Sequence, residues 1–164
     1  MKGLQVIAEQ QQDLQPGEAH WSIGYRFDQL VEPVLEFVSD CYWLINSRTI
    51  FLDSPDDTHA PEPTISKVII EQTSHYILAE PRFITEFSNL FIPDWTNFFG
   101  VPERIDLHTV QITPAFLEST FLIFFRCVDA AFWEVYSPKD EILQWIAGAF
   151  PKSILCQFEP SDVW

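Results

Sequence analysis

The sequence predicts an α+β fold: a single domain built on a mostly antiparallel sheet, with helices packed on one face. Three observations lead there. The chain has 164 residues, the size of one ordinary domain, and its 47% apolar content fills one core without metals or disulfides. The runs TFLIFFRC (120–127) and FWEVY (132–136) flank the short break VDAA and pair antiparallel as a hairpin. A capped amphipathic segment follows, so a strand, strand, helix unit closes the fold and its helix covers the sheet.

Taken in order, LQVIA (4–8) reads as a short strand, and QQQDLQPGEA (10–19) as a polar connection broken by Pro16 and Gly17. In HWSIGYRF (20–27), Trp21, Ile23, Tyr25 and Phe27 alternate with His20, Ser22, Gly24 and Arg26, the period of a strand with one aromatic face. Asp28 then caps a helix in which Leu30, Val31, Val34, Leu35 and Val38 recur at helical spacing, with Pro33 either kinking it or marking its true first turn. CYWLINSRTIFL (41–52) fits two short strands around Asn46-Ser47, or one strand after a turn.

DSPDDTHAPEP (53–63) is a loop, with three prolines, four acids and only Ala60 to bury. KVIIE (67–71) is a strand, while HYILAE fits strand or helix, and RFITEFSNLF has helical spacing at Phe83, Phe87 and Leu90. IPDWTNFFGVPE (92–103) reads as a second irregular region, aromatic for a loop. RIDLHTVQI (104–112) reads as a strand, TPAFLES (113–119) as a helical turn, and TFLIFFRC, apolar on both faces, as a central strand. In the hairpin, Arg126 is expected opposite Trp133 as a cation–π pair and Phe124 opposite Val135, with Glu134 and Tyr136 on the other face. Ser137 is expected to cap a helix over 138–149, with Pro138 in its first position, Asp140 at its positive end, and Ile142, Leu143, Ile146 and Phe150 as its apolar stripe.

Cys41, Cys127 and Cys156 are odd in number and far apart, which predicts buried free thiols in a reducing compartment. The start MKGLQVIAEQQQ lacks the basic region and apolar block of about 7 to 15 residues that a secretory signal needs. No apolar run approaches the roughly 18 residues of a membrane span. A cytoplasmic protein with no membrane contact is expected.

The charge is the strongest global signal: 24 Asp and Glu against 9 Lys and Arg leave a formal net charge of −15. Such a surface repels nucleic acid and acidic membranes and attracts a basic protein at long range. The same charge also keeps an aromatic-rich chain soluble. Asp53, Asp56, Asp57, His59 and Glu62 match neither the calcium-loop pattern nor a zinc spacing, and read as a solvated acidic loop. No H-E-x-x-H, nucleophile elbow or phosphate-binding glycine motif is present, so no catalytic residue, metal or cofactor is assigned.

The tail, a hydrophobic strand, a short turn, an aromatic strand carrying W-E-V-Y-S and a capped helix ending in Phe, resembles the ends of small acidic bacterial immunity proteins that neutralise toxins. The resemblance covers about thirty residues and implies a soluble, non-enzymatic, cytosolic inhibitor of one toxin domain. The aromatic segment 92–103 has no counterpart in it. The expected function is therefore direct binding of a basic toxin domain, nuclease-like in charge. Trp95, Phe98 and Phe99 are the expected anchors, with Asp53, Asp56, Asp57 and Glu62 steering the encounter. Two alternatives stand beside it: an acidic mimic of nucleic acid that occupies a DNA-binding protein, and an enzyme whose site is assembled from scattered residues. The 13 acids in residues 1–82 and 11 in 83–164 fall mostly as singletons, not in the phosphate-like rows a mimic needs.

Overall fold

A computed structural model describes residues 1–7, 25, 27–47, 68–86, 96–128 and 132–158. They form an α+β fold around one eight-stranded, wholly antiparallel sheet in the order β3-β4-β2-β5-β6-β7-β1-β8. The strands are β1 (Lys2–Ile7), β2 (Tyr42–Ser47), β3 (Ile69–Gln72), β4 (Ile77–Ala79), β5 (Thr96–Val101), β6 (Ile123–Val128), β7 (Phe132–Tyr136) and β8 (Ile154–Gln157). The helices are α1 (Phe27–Val31), α2 (Leu35–Val38), α3 (Phe83–Glu86), α4 (Pro114–Thr120) and α5 (Asp140–Ala149).

Successive strand residues point to opposite faces, so the central strands feed two cores. On the first face Trp43, Ile45, Phe98, Phe125, Trp133 and Val135 pack under α1, α2, α3 and α5. On the second, Leu44, Phe99, Phe124 and Tyr136 pack against Leu117 of α4, Phe121 and the chain around Ile105 and Leu107. Helices therefore lie on both faces, not on one. The strand TFLIFFRC, apolar on both sides, requires this second cover, and Thr113 caps α4 by accepting from the Phe116 N–H at 3.2 Å.

Phe27 begins α1 instead of ending a strand, and Asp28 lies in the first turn of that helix, not at its cap. Pro33 breaks the helix: it lacks the N–H for an α-helical bond, and Glu32–Val34 tighten into a 3-10 turn between α1 and α2. Asn46 and Ser47 are not a turn; β2 runs through them, paired with Asn97 and Thr96. HYILAE resolves as strand β4.

The segment 92–103 holds the largest correction, because β5 is buried over its whole length between β2 and β6. Two residues that look like turn formers have other reasons to be there. A Cβ on Gly100 would lie 3.0 Å from Ile123 and 3.3 Å from the Trp43 indole. Asn97 sits in a polar row across the sheet, between Asn46 and Arg126. Conversely, residues 104–112 form no strand; a turn at Leu107–Thr109 lets Asp106 accept from the His108 N–H at 2.9 Å. That bond holds the Asp106 carboxyl below its ordinary pKa.

In the hairpin, Val128 pairs with Phe132, one residue off the expected register. Arg126 lies opposite Glu134, and Cys127 opposite Trp133. A one-residue slip exchanges faces, and burial decides it: Trp133 and Val135 join Phe125 and Cys127 in the first core. Ser137 is not the helix cap either. Its hydroxyl donates to the Leu122 carbonyl at 2.7 Å and accepts from the Lys139 N–H at 3.1 Å, tying the entry of α5 to that of β6. Helix α5 starts at Asp140, with Ile142, Leu143 and Ile146 buried as the stripe requires.

Two checks follow from this packing. Gly3 lies directly opposite Tyr136, whose ring occupies the space a Cβ would need, and the Val135 carbonyl oxygen would be 2.9 Å away. Gly3→Ala is expected to cost about 2 kcal/mol or more in chemical denaturation. At the β3 edge, Arg104 donates to Glu71 at 2.7 Å and the Leu107 N–H donates at 2.8 Å; the Arg104 bond first, then the Leu107 bond, hold the Glu71 carboxyl below its ordinary pKa. A depressed carboxylate stabilises the fold above its unfolded-state pKa and loses that contribution as pH falls through its folded value. Glu71→Gln is therefore expected to flatten the acid side of the stability profile, measured by melting between pH 3 and pH 6, chosen as a window about the ordinary carboxylate range.

Candidate partner-binding site

The structure separates the expected anchors from any surface. Phe98 and Phe99 are 3% and 0% exposed, on opposite faces of β5. Phe98 stacks on Phe27 at 4.4 Å between ring centroids, and Phe99 stacks on Phe124 at 4.2 Å. Both are core residues and cannot anchor a partner. Trp95, Asp53, Asp56, Asp57 and Glu62 lie outside the described residues.

An acidic aromatic surface exists elsewhere, on the outer side of the helical layer. A groove of about 760 Å³ runs between the turn leading into α2 and the helix α5. Glu32, Pro33, Glu36 and Phe37 form one wall, and Glu141, Gln144, Trp145, Gly148 and Ala149 the other. Each wall is a helical face: residues 32, 33, 36 and 37 repeat at one turn, and 141, 144, 145 and 148 at i, i+3, i+4 and i+7. Trp145 is 57% exposed, an unusual position for the largest aromatic side chain when the other face of its helix is well buried.

Electrostatically the groove has one sign. Glu32, Glu36 and Glu141 are exposed, and among the described residues none of them makes an ion pair. Glu32 lies in the 3-10 turn and Glu36 in the first turn of α2, and both line the same wall. Neither α2 nor α5 has a basic residue in its last turn. The sequence signal was available in α5: beside the buried stripe lies a second one, containing Trp145 and, in the last turn, Gly148 on the polar side.

Phe27 fixes the position of this layer. Its ring meets Trp43, Phe98, Phe125 and Trp133, which belong to four adjacent strands, at centroid distances of 6.0, 4.4, 5.3 and 5.6 Å. Just before it, the Tyr25 carbonyl accepts from the Trp133 indole N–H at 2.7 Å, and the Tyr25 ring packs edge-on against Phe150 at 4.7 Å. The start of α1 is thereby fastened to the end of α5.

The other face of the sheet carries polar chemistry of a different kind. Asn46, Asn97, Arg126, Glu134 and Gln5 lie side by side across five strands. Arg126 donates to Glu134 at 3.0 Å, and the Tyr136 hydroxyl donates to the same carboxylate oxygen at 2.9 Å. Burial, reinforced by Glu134, pushes the Tyr136 hydroxyl far above its ordinary pKa, and burial pushes up the Cys156 thiol beside it. Burial also raises Cys41, to about 11. All three cysteines are free. These groups are held protonated, the opposite of an activated nucleophile, and the Arg126–Glu134–Tyr136 cluster clamps β6 to β7.

No protein family, curated protein or solved structure matches this chain. Among the described residues no helix is long and apolar enough to cross a membrane.

The clamp has a measurable signature. Arg126 and Glu134 side chains are 12% and 15% exposed, so removing Glu134 takes a carboxylate from a largely desolvated guanidinium and from the Tyr136 hydroxyl. Glu134→Ala is expected to lower unfolding free energy by about 3 kcal/mol, whereas the double change Arg126→Met with Glu134→Leu costs much less.

Proposed function

We propose that the protein is a cytoplasmic binding protein that captures one basic protein partner and neutralises it by covering its working surface, as an immunity protein does to a nuclease-like toxin domain. The observation that carries this reading is Trp145, exposed between Glu32, Glu36 and Glu141. An aromatic side chain supplies buried area and a seat for a Lys or Arg over its ring, while the surrounding carboxylates accelerate encounter with a positive surface. A mimic of nucleic acid needs rows of charge; here Phe37, Trp145 and Ala149 put apolar surface among the acids, which favours a protein partner. The net charge of −15 extends the same preference over the whole chain.

The test is surface plasmon resonance against a panel of purified basic nuclease-type toxin domains, with acidic proteins of similar size as controls. One basic domain is expected to bind at 1:1 stoichiometry, lose its activity in the complex and associate more slowly as salt rises. Changing Glu32, Glu36 and Glu141 together to Gln is expected to slow association about tenfold with little effect on dissociation. Trp145→Ala is expected to speed dissociation, at a cost of about 2 kcal/mol. Neither variant is expected to lower Tm. A panel with no saturable complex, or variants that bind like the parent, would overturn the reading.

A further inference from the structure

Resting on the basic-partner reading, we infer that the groove is built to receive a helix, and that the partner enters it as a basic amphipathic helix packed against the backbone of α5 at Gly148. Three glycines can be compared. At Gly3 the Tyr136 ring occupies the space a Cβ would take, and a Cβ on Gly100 would press to 3.0 Å from Ile123 and 3.3 Å from Trp43. Gly148 has no such neighbour: a Cβ there would meet nothing within 4 Å. It is the ninth of the ten residues of α5, its φ lies outside the left-handed region that calls for glycine, and it lines the groove wall beside Trp145 and Ala149. Small residues at a helix surface let a second helix approach closely, as van der Waals packing rewards.

The shape of the walls agrees. Glu141, Gln144, Trp145 and Gly148 extend over two turns of α5, about 12 Å at 1.5 Å per residue, and the facing wall repeats at one turn. A groove between two helical faces, lined at i, i+3, i+4 and i+7, takes a third helix in ridges-into-grooves packing. Charge selects the occupant. With Glu32, Glu36 and Glu141 around the opening, and no basic residue in the last turn of α5, lysines or arginines flanking the apolar stripe of the incoming helix meet carboxylates on both walls.

Two synthetic peptides test this, each of 18 residues and of identical Leu and Lys content, one patterned with helical period and the other with strict alternation. Fluorescence anisotropy of labelled peptide reads affinity, and circular dichroism reads peptide helicity on binding. The helical-period peptide is expected to bind at 1:1, gain helicity and bind about tenfold or more tightly than the alternating one. Gly148→Leu, which fills open space without a clash, is expected to weaken that peptide about tenfold while Tm stays at or above the parent value. Gly148→Ala is expected to raise Tm by about 2 °C and to weaken binding by a smaller factor. If both peptides bind alike and Gly148→Leu is indifferent, the helical occupant is wrong and the basic-partner reading survives. If neither peptide binds, both fall.

Discussion

The contact of Phe27 with four strands at once governs the geometry of the molecule. An aromatic ring that meets Trp43, Phe98, Phe125 and Trp133 removes a large apolar area from water and can be satisfied at one place only, over the centre of the sheet. Because Phe27 is the first residue of α1, the seat of that ring also places the helix, the Pro33 break and the short α2 beyond it. The Tyr25–Phe150 contact closes the arrangement from the α5 side. The contacts that build the core thus also set the spacing of the two groove walls.

The burial of β5 and β6 sets the second constraint. Strands apolar on both faces leave the sheet with two surfaces to cover, and no single layer of helices can do so. α1, α2, α3 and α5 take one surface; α4 and the turn at Leu107–Thr109 take part of the other. Among the polar groups that fall within the second surface, Arg126, Glu134 and Tyr136 meet at one shared carboxylate oxygen, while the Asn97 side-chain oxygen is buried with no hydrogen-bond partner among the described residues. Such a network punishes a register slip, because moving either strand by one residue would turn a charge into the aromatic core.

Some charge is paired: Arg126 with Glu134 within the sheet, Glu71 with Arg104 at its edge, and Glu86 of α3 with Arg82. On the outer helical wall Glu32, Glu36 and Glu141 stand exposed around Trp145. Glu36 and Glu141 lie in the first turns of α2 and α5, where a carboxylate suits the positive end of a helix, so these charges serve the helices as well as the groove.

Composition and periodicity alone determined much here: the α+β class, the hairpin of 120–136, the buried stripe Ile142, Leu143 and Ile146, the proline break at 33 and the free thiols. These are short-range properties, in which neighbouring residues decide one another's conformation. Tertiary structure decided the rest. Asn97 and Gly100 resemble turn residues until Asn46, Arg126 and Trp43, distant in sequence, supply their reasons for lying in a strand. The hairpin register turned on which residues a second element would bury, and Ser137 exchanged a local cap for the Leu122 carbonyl fifteen residues away. The groove belongs to the same class. Residues 32–37 and 141–149 are a hundred positions apart, and only the packing of two helices on one sheet makes them facing walls, because side chains recognise neighbours in space and the chain order records only neighbours along it.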